Sequence, residues 1–271
     1  MKRTNQKQKI IDCHVHAYTN KQIKNLLLSM KKNGISKAVI MYWPLKGGMN
    51  APIFEKVLKN IESHNNLFMA FSLRMTDDKA YKEQIEKLEP ALKNIKIVGV
   101  KLYLGYEHFF ANDQRCDRIY QACMKYKKAV IFHTGDTWNY KTALVRYANP
   151  IYVDDVAVKY PDLKILISHM GNPCWIKETA EVIYKNENVF TDFSGTLSFP
   201  SQLEKEYNAN LKKQILELIA YCSTPRKIMF GSDFFLYGQN QYVKFLNGFK
   251  DISKIDMEYI KHKNAEKLFG I

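Results

Sequence analysis

The chain has 271 residues, of which 46% are hydrophobic, and a net charge of +14. This length suits one large domain spanning residues 1–271, and the hydrophobic content excludes a disordered chain. The apolar stretches have the length of strands, so we expect no membrane span, and the basic N-terminus lacks the long apolar core of a signal peptide. These features predict a cytoplasmic protein.

Strands and helices are predicted to alternate along the whole chain. Eight apolar runs predict strands at 10–16, 37–42, 68–73, 96–103, 129–133, 164–169, 189–193 and 227–232. Amphipathic patterns predict helices at 20–32, 52–64, 78–92, 114–127, 150–159, 175–186, 203–222, 239–249 and 256–268. The repeat of about 30 residues is typical of a βα unit. Eight units predict an α/β fold, a closed (β/α)₈ TIM barrel in a single domain. An open doubly wound sheet is the alternative, but no glycine-rich phosphate loop follows the first strand.

The positive charge is carried mainly by lysine, since only six of the 41 cationic residues are arginine. Base readout and bidentate phosphate contacts favour arginine, and the lysines are scattered along predicted helices. We therefore expect a small-molecule substrate and no nucleic-acid or membrane partner, while assembly with further copies of the chain stays open. The five cysteines include no Cys-x-x-Cys pair, which argues against a disulfide framework or a cysteine zinc site.

Histidines and one aspartate stand at the ends of four predicted strands. His14 and His16 are two residues apart in the first strand, so they are expected to share a face, while Cys13, between Asp12 and His14, is expected to face away. Three later apolar runs end at His133, His169 and Asp233. Because the carboxyl ends of barrel strands meet at one mouth, these side chains are expected to converge there. Imidazoles and a carboxylate suit a transition metal such as zinc.

These motifs give the chain a resemblance to the amidohydrolase superfamily. It most resembles the branch around aminocarboxymuconate-semialdehyde decarboxylase and related small-molecule hydrolases. The resemblance spans the whole chain and rests on the segments Ile11–His16, Gly99–Tyr103, His133–Gly135, Ser168–Gly171, Gly231–Asp233 and Lys263–Gly270.

The resemblance implies roles for the residues at the strand ends. One divalent metal ion, usually zinc in this family, would be held by His14, His16, His133 and Asp233. Asp233 and His169 would be the catalytic residues. Asp233 would take a proton from a metal-activated water, and His169 would orient that water or stabilise a developing oxyanion.

Two cations are candidates for binding the substrate. Arg74 follows the third predicted strand, where a guanidinium could bind a carboxylate. Lys101 lies in the fourth strand, and its alternatives are a substrate carboxylate, a buried acid, or carboxylation of its own amine to bridge a second metal. We expect the first of these, with Glu107, Asp136 or Asp192 as competing internal partners for both cations.

Position alone suggests further residues of the pocket. Those expected to shape or pack the mouth are Trp43, Tyr103, Tyr106, Trp138 and, in the loop after the fourth strand, His108. Asp192 ends the seventh strand and is expected either to orient a metal-ligating residue or to cap a helix.

The sequence therefore predicts a metal-dependent hydrolase. The expected reaction is cleavage of an amide, lactone or ester bond in a small anionic substrate by a metal-activated water. The alternative is nonoxidative decarboxylation of an unsaturated or aromatic acid, for which relatives use the same ligands. A catalytically inert, ligand-binding barrel is the third hypothesis, and the intact ligand set argues against it.

Overall fold

The computed structural model describes residues 9–45, 53–137, 141–197, 202–234 and 238–271. Its eight strands form one parallel sheet in sequence order, β1 to β8. The strands are β1 Ile10–Val15, β2 Ile35–Met41, β3 Leu67–Ser72, β4 Ile97–Leu102, β5 Ala129–His133, β6 Lys164–Ser168, β7 Val189–Asp192 and β8 Ile228–Met229.

Helices follow the strands as the sequence predicts. They are α1 Asn20–Asn33, α2 Phe54–Glu62, α3 Asp78–Ile85, α4 Leu88–Lys93, α5 Asp117–Lys125, α6 Ile151–Lys159, α7 Ile176–Lys185, α8 Gln202–Tyr221, α9 Gln239–Asn247, α10 Lys254–Glu258 and α11 Asn264–Phe269. Short 3₁₀ turns lie at Gln114–Cys116, Val145–Ala148 and His169–Gly171, and a π-helical turn, Tyr259–Lys263, joins α10 to α11. In the described parts of the chain, every helix is too short or too polar to cross a bilayer.

The first and last strands close the sheet into a barrel. The backbone amide of Cys13 donates to the Phe230 carbonyl at 3.0 Å, and that of Asp233 donates to the His14 carbonyl at 2.8 Å. A further bond joins the His16 amide to the Phe234 carbonyl, also at 2.8 Å. The predicted single-domain TIM barrel is therefore confirmed.

The barrel interior is filled by an apolar cluster that draws on every strand. Alternate residues of the eight strands form a cluster separate from the larger core between sheet and helices. The strand members of this inner cluster are Ile11, Cys13, Val39, Met41, Ala70, Val98, Ala129, Ile131, Leu166, Phe190 and Met229. Ala265, Leu268 and Phe269 of α11 complete it. Helix α11 therefore packs against the apolar cluster inside the barrel.

Two sequence predictions fail for local reasons. The predicted helix 78–92 is split into α3 and α4, because Pro90 cannot continue a helix begun upstream. Cys13 was predicted to face away from the histidines but belongs to the cluster inside the barrel. A register shift between Asp12 and Val15 in β1 explains this, since a bulge resets the alternation of the side chains.

Candidate metal centre

His16 is held by its Nδ1 atom and presents its Nε2 atom to the site. Nδ1 lies 3.0 Å from the Met41 carbonyl oxygen and 2.6 Å from the Tyr18 hydroxyl, which itself donates to the same carbonyl at 2.9 Å. Because a carbonyl only accepts, we place the imidazole proton on Nδ1. Nε2, which lies 3.1 Å from Asp233 Oδ1, is then free to bind a metal.

His14 lies between two carboxylates. Its Nε2 atom is 3.6 Å from Asp233 Oδ1, and its Nδ1 atom is 3.6 Å from Asp192 Oδ2. Burial and the charge of Lys101 lower the pKa of His14 to about 3. The ring is therefore neutral at physiological pH, as a metal ligand must be.

Asp233 occupies a strained turn directly after β8. Its backbone has a φ of +59°, in the left-handed region that non-glycine residues rarely adopt. Burial alone would raise the pKa of its carboxyl group, but contact with His16 and the nearby His14 ring holds it below its ordinary value. Asp233 is therefore ionised, with Oδ1 directed at both histidines.

Three buried side chains fit a divalent metal. The ligand atoms of His14, His16 and Asp233 lie within 4.8 Å of one another. His14 Nδ1, Asp192 Oδ2 and Asp233 Oδ1 are buried and have no hydrogen-bond partner within the described residues. Unsatisfied buried polar atoms are costly, so a cluster of them indicates a missing partner. Two imidazoles and one carboxylate form the donor set of many catalytic metal sites.

The other two predicted histidines line the same space but are held differently. The His169 ring centroid lies 4.7 Å from that of His14 and 4.8 Å from that of His133. His133 Nε2 lies 2.7 Å from the Asp136 carbonyl oxygen, to which it donates. His133 thus joins the ring cluster but not the compact ligand group, and its role as a ligand stays a prediction.

His169 is positioned by the turn that follows β7. Its Nδ1 atom is 2.8 Å from the Ser194 carbonyl oxygen, and its backbone amide donates to Asp192 Oδ1 at 3.1 Å. Gly195 makes this packing possible, because a Cβ atom there would lie 2.9 Å from Asp233 Oδ2 and 3.0 Å from His169 Nδ1. Sequence reasoning missed Ser194 and Gly195, although a glycine three residues after the β7 aspartate was an available signal.

Asp192 thus contacts both His14 and His169, which agrees with the predicted role of Asp192 in orienting a metal-ligating residue. One carboxylate oxygen binds the His169 amide and the Ser194 hydroxyl, while the other faces His14. Carboxylates in this position fix the orientation of metal-ligating imidazoles.

Lys101 is a fully buried cation beside the ligand group. Its Nζ atom donates to the Ser168 hydroxyl at 2.8 Å and lies 5.5 Å from the Tyr103 ring centroid. Burial lowers the pKa of Lys101 to about 7, against the opposing charges of Asp192 and Asp233. An anion bound at Nζ would favour the charged form of this amine.

Arg74 is held by a partner that sequence reasoning did not consider. Its Nη1 atom is 2.5 Å from Asp77 Oδ2, and the same aspartate caps α3 through the Ala80 amide at 3.0 Å. The structure thus places Arg74 in an ion pair at the start of α3.

Three of the predicted pocket aromatics form one cluster. The Trp43 ring centroid lies 4.6 Å from that of Tyr103 and 5.1 Å from that of Tyr106, and the Tyr106 ring lies 4.7 Å from that of His133. Trp138 lies outside the described residues. His108 is exposed, where it stacks on Tyr147 and contacts the Thr142 carbonyl.

The chain matches the family model for amidohydrolases over residues 11–271. No curated protein matches its sequence. Among solved structures, it is similar to an uncharacterized TIM-barrel protein from Bordetella bronchiseptica, with a TM-score of 0.72, 20% identity, and coverage of 97% of this chain and 99% of that chain.

Two further structures are decarboxylases. A 2,6-dihydroxybenzoate decarboxylase from Rhizobium gives a TM-score of 0.68 at 12% identity, covering 97% of this chain and 99% of that chain. A 5-carboxyvanillate decarboxylase from Novosphingobium aromaticivorans, complexed with manganese, gives a TM-score of 0.70 at 12% identity. The match covers 98% of this chain and 97% of that chain. At identities this low, structural similarity establishes only the fold. The family model matches nearly the entire chain and therefore establishes the family. The predicted resemblance is confirmed: the chain belongs to the amidohydrolase family, whose members are enzymes that bind a divalent metal.

Proposed function

We propose that this protein is a metal-dependent, nonoxidative decarboxylase of an aromatic or otherwise unsaturated carboxylic acid. The observation that carries the proposal is the aromatic cluster of Trp43, Tyr103 and Tyr106, which connects the predicted metal ligand His133 to the buried cation Lys101. Two of the structural neighbours are decarboxylases, which favours this reaction over the hydrolysis expected first.

The aromatic cluster suits a flat substrate. Its rings meet edge to face, with interplanar angles of 70° for Trp43–Tyr103 and 81° for Trp43–Tyr106. A substrate ring placed beside this cluster would meet aromatic edges and faces, the contacts that an aromatic ligand makes best. We therefore assign the walls of the substrate site to these residues.

Lys101 supplies the charge that such a substrate needs. Its ammonium is fixed by Ser168 and lies beside Tyr103, within the same cluster. A carboxylate or phenolate bound at Nζ would neutralise a fully buried cation, which is otherwise costly. We propose Lys101 as the main anion-binding residue, with Arg74 as an outer contact that shares its charge with Asp77.

The proposed metal ligands are His14, His16 and Asp233, joined by His133 if its ring turns from Asp136. The bound ion, manganese or zinc, supplies positive charge that stabilises electron density on the substrate oxygens. The donor set accepts both ions, and a structural neighbour is complexed with manganese.

The chain's own residues must also supply a proton. Decarboxylation breaks the bond between the carboxylate and the adjacent carbon, releases CO₂ and leaves an electron pair that a proton must occupy. We propose that Asp233 carries this proton on Oδ2, after taking it from solvent or a substrate hydroxyl, while Oδ1 faces the histidines. His169, fixed through Nδ1 by Ser194, presents Nε2 to the same space and orients the substrate.

A substrate panel tests this proposal. The protein, reconstituted with Mn²⁺ or Zn²⁺, is offered hydroxybenzoic acids and unsaturated dicarboxylic acids with CO₂ release as the readout, and lactones, esters and N-acyl compounds with hydrolysis as the readout. We expect CO₂ from at least one acid and none from an Asp233→Asn variant. Turnover of a lactone, ester or amide without CO₂ from any acid would overturn the proposal and restore the hydrolase.

The proposed partner is a small anionic molecule and not a nucleic acid. Dispersed lysines predict weak binding that disappears with modest salt. Filter binding of DNA and RNA at physiological salt checks this. Tight, sequence-dependent binding would contradict it.

A further inference from the structure

Asp12 is a buried carboxylate that the proposed mechanism does not use. It lies on β1 with no exposed surface, and no cation pairs with it within the described ranges. Its Oδ1 atom accepts from the Ser232 amide at 2.9 Å, and its Oδ2 atom accepts from the Ser232 hydroxyl at 2.6 Å and from the Gln239 side chain at 2.8 Å. Burying a carboxylate without a counter-charge is costly, so this cluster calls for an explanation.

The carboxylate binds the residue that precedes Asp233. Ser232 is held through both its backbone amide and its side chain, which fixes the Gly231–Ser232 peptide directly before the turn. On the other side, the Phe234 amide donates to the Ser232 hydroxyl oxygen at 3.1 Å. The Asp233 amide itself donates to the His14 carbonyl.

Asp233 needs such support because of its conformation. A φ of +59° is unfavourable for a residue with a Cβ atom and persists only where the surroundings impose it. Without the Asp12 bonds, the turn could relax to an ordinary conformation and move Asp233 Oδ1 away from His14 and His16. Metal sites tolerate such displacement poorly, since ligand geometry sets affinity.

We infer that Asp12 is a positioning residue, which clamps the Ser232–Phe234 turn so that the Asp233 carboxylate stays in register with the histidines of β1. The inference rests on the proposed role of Asp233 as a metal ligand. The first strand and the residues around it would then supply the two histidine ligands and also Asp12, which positions the third ligand, Asp233, near the other end of the chain.

Metal affinity separates this role from a general contribution to stability. The full-length protein, stripped of metal, is titrated with Zn²⁺ in competition with a chromophoric chelator, and its thermal unfolding is recorded without metal. In Asp12→Asn, only one of the two oxygen positions still accepts, so either the bond at Oδ1 from the Ser232 amide or the two bonds at Oδ2 are lost. We expect Zn²⁺ affinity to fall by ~10-fold or more, the usual effect of losing a residue that orients a ligand.

Asn264→Leu is the matched control. Asn264 is buried at the opposite end of β8, where its side chain donates to the carbonyls of Pro225 at 3.1 Å and Ile228 at 2.7 Å. Its loss should lower the unfolding temperature and leave the Zn²⁺ affinity unchanged. If Asp12→Asn does not fold, Ser232→Ala takes its place, since it removes one bond to Asp12 and the bond to Phe234.

Asp233→Ala separates the inference from the assignment beneath it. If this variant loses Zn²⁺ while Asp12→Asn and Ser232→Ala bind as tightly as the wild type, the positioning role is refuted and the ligand assignment stands. If Asp233→Ala itself binds as tightly as the wild type, both are refuted. Equal losses of affinity in Asp12→Asn and Asn264→Leu would reduce Asp12 to a residue of general stability.

Discussion

The two ends of the barrel are built from the same strands but differ in the groups that they bury. At the end closed by α11, Leu268 and Phe269 join the strands in a buried apolar cluster. At the carboxyl end, His14, Asp192 and Asp233 carry buried polar atoms without partners among the described residues, and Asp233 adopts a strained backbone. One end is satisfied by its own side chains, whereas the other leaves buried polar atoms that a bound metal ion would partner.

This contrast shows how a stable barrel can carry a costly site. Apolar packing at the closed end and between sheet and helices stabilises the fold, which offsets the desolvated charges at the mouth. Substitutions at the mouth should therefore change binding and turnover with little loss of stability, whereas substitutions near α11 should do the reverse.

The largest effect is expected for Asp233→Asn. The amide is a poor metal ligand and cannot carry the proton, so turnover should fall by at least about a thousand-fold. The unfolding temperature of the metal-free protein should change little, because the amide keeps the size and shape of the carboxylate. Steady-state kinetics and calorimetry check this. A variant that loses stability together with activity would break the contrast between the two ends.

Leu268→Ala should produce the opposite result. The side chain is buried in the inner cluster, so its truncation should lower the free energy of unfolding by about 2–5 kcal/mol. Metal affinity and kcat, measured at a temperature where the variant is folded, should match the wild type. Chemical denaturation and metal titration provide the two readouts, and an altered metal affinity would show that the two ends are coupled.

Tyr18→Phe sharpens the contrast at the mouth. The variant keeps the buried ring but removes the hydroxyl that contacts His16 Nδ1, leaving only the Met41 carbonyl to hold the imidazole. We expect metal affinity to fall by roughly 10-fold, with the fold intact. Tyr120→Phe is the control, since it removes a buried hydroxyl bonded to the Ala111 carbonyl away from the site. Equal metal affinities in the two variants would dismiss the role of Tyr18.

The smallest effect is expected for Arg74→Ala. Because Arg74 already pairs with Asp77, its share in substrate binding should be less than ~1 kcal/mol, or a few-fold in KM for the acid substrate. Comparing the acid with its neutral amide in wild type, Arg74→Ala and the surface control Arg118→Ala isolates the charge effect. A loss as large as that of a Lys101→Met variant would make Arg74 the principal anion-binding residue.

Much of the fold could be predicted because its signals are local. The apolar runs that precede His133 and His169 predict where these strands end. The spacing of His14 and His16 predicts that both side chains face the same space. The direction of Cys13 could not be predicted, because the bulge in β1 depends on pairing with β2 and not on the sequence of β1 alone.

The parts of the site that escaped prediction depend on contacts between distant segments. The clamp joins Asp12 to Ser232 across 220 positions, and Ser194 reaches His169 across 25. Contacts between residues so far apart leave no periodic pattern in the sequence from which they could be predicted. Residues 46–52, 138–140, 198–201 and 235–237 lie outside the described chain.

Metal titration tests the central claim most directly. The wild-type protein, stripped and then reloaded with Mn²⁺ or Zn²⁺, should bind one equivalent tightly, and His14→Ala, His16→Ala and Asp233→Ala should each lose it while keeping a cooperative thermal transition. Full metal content in those variants would contradict the account. So would two tight equivalents together with a carboxylated Lys101 in the mass spectrum, because they would make the centre binuclear.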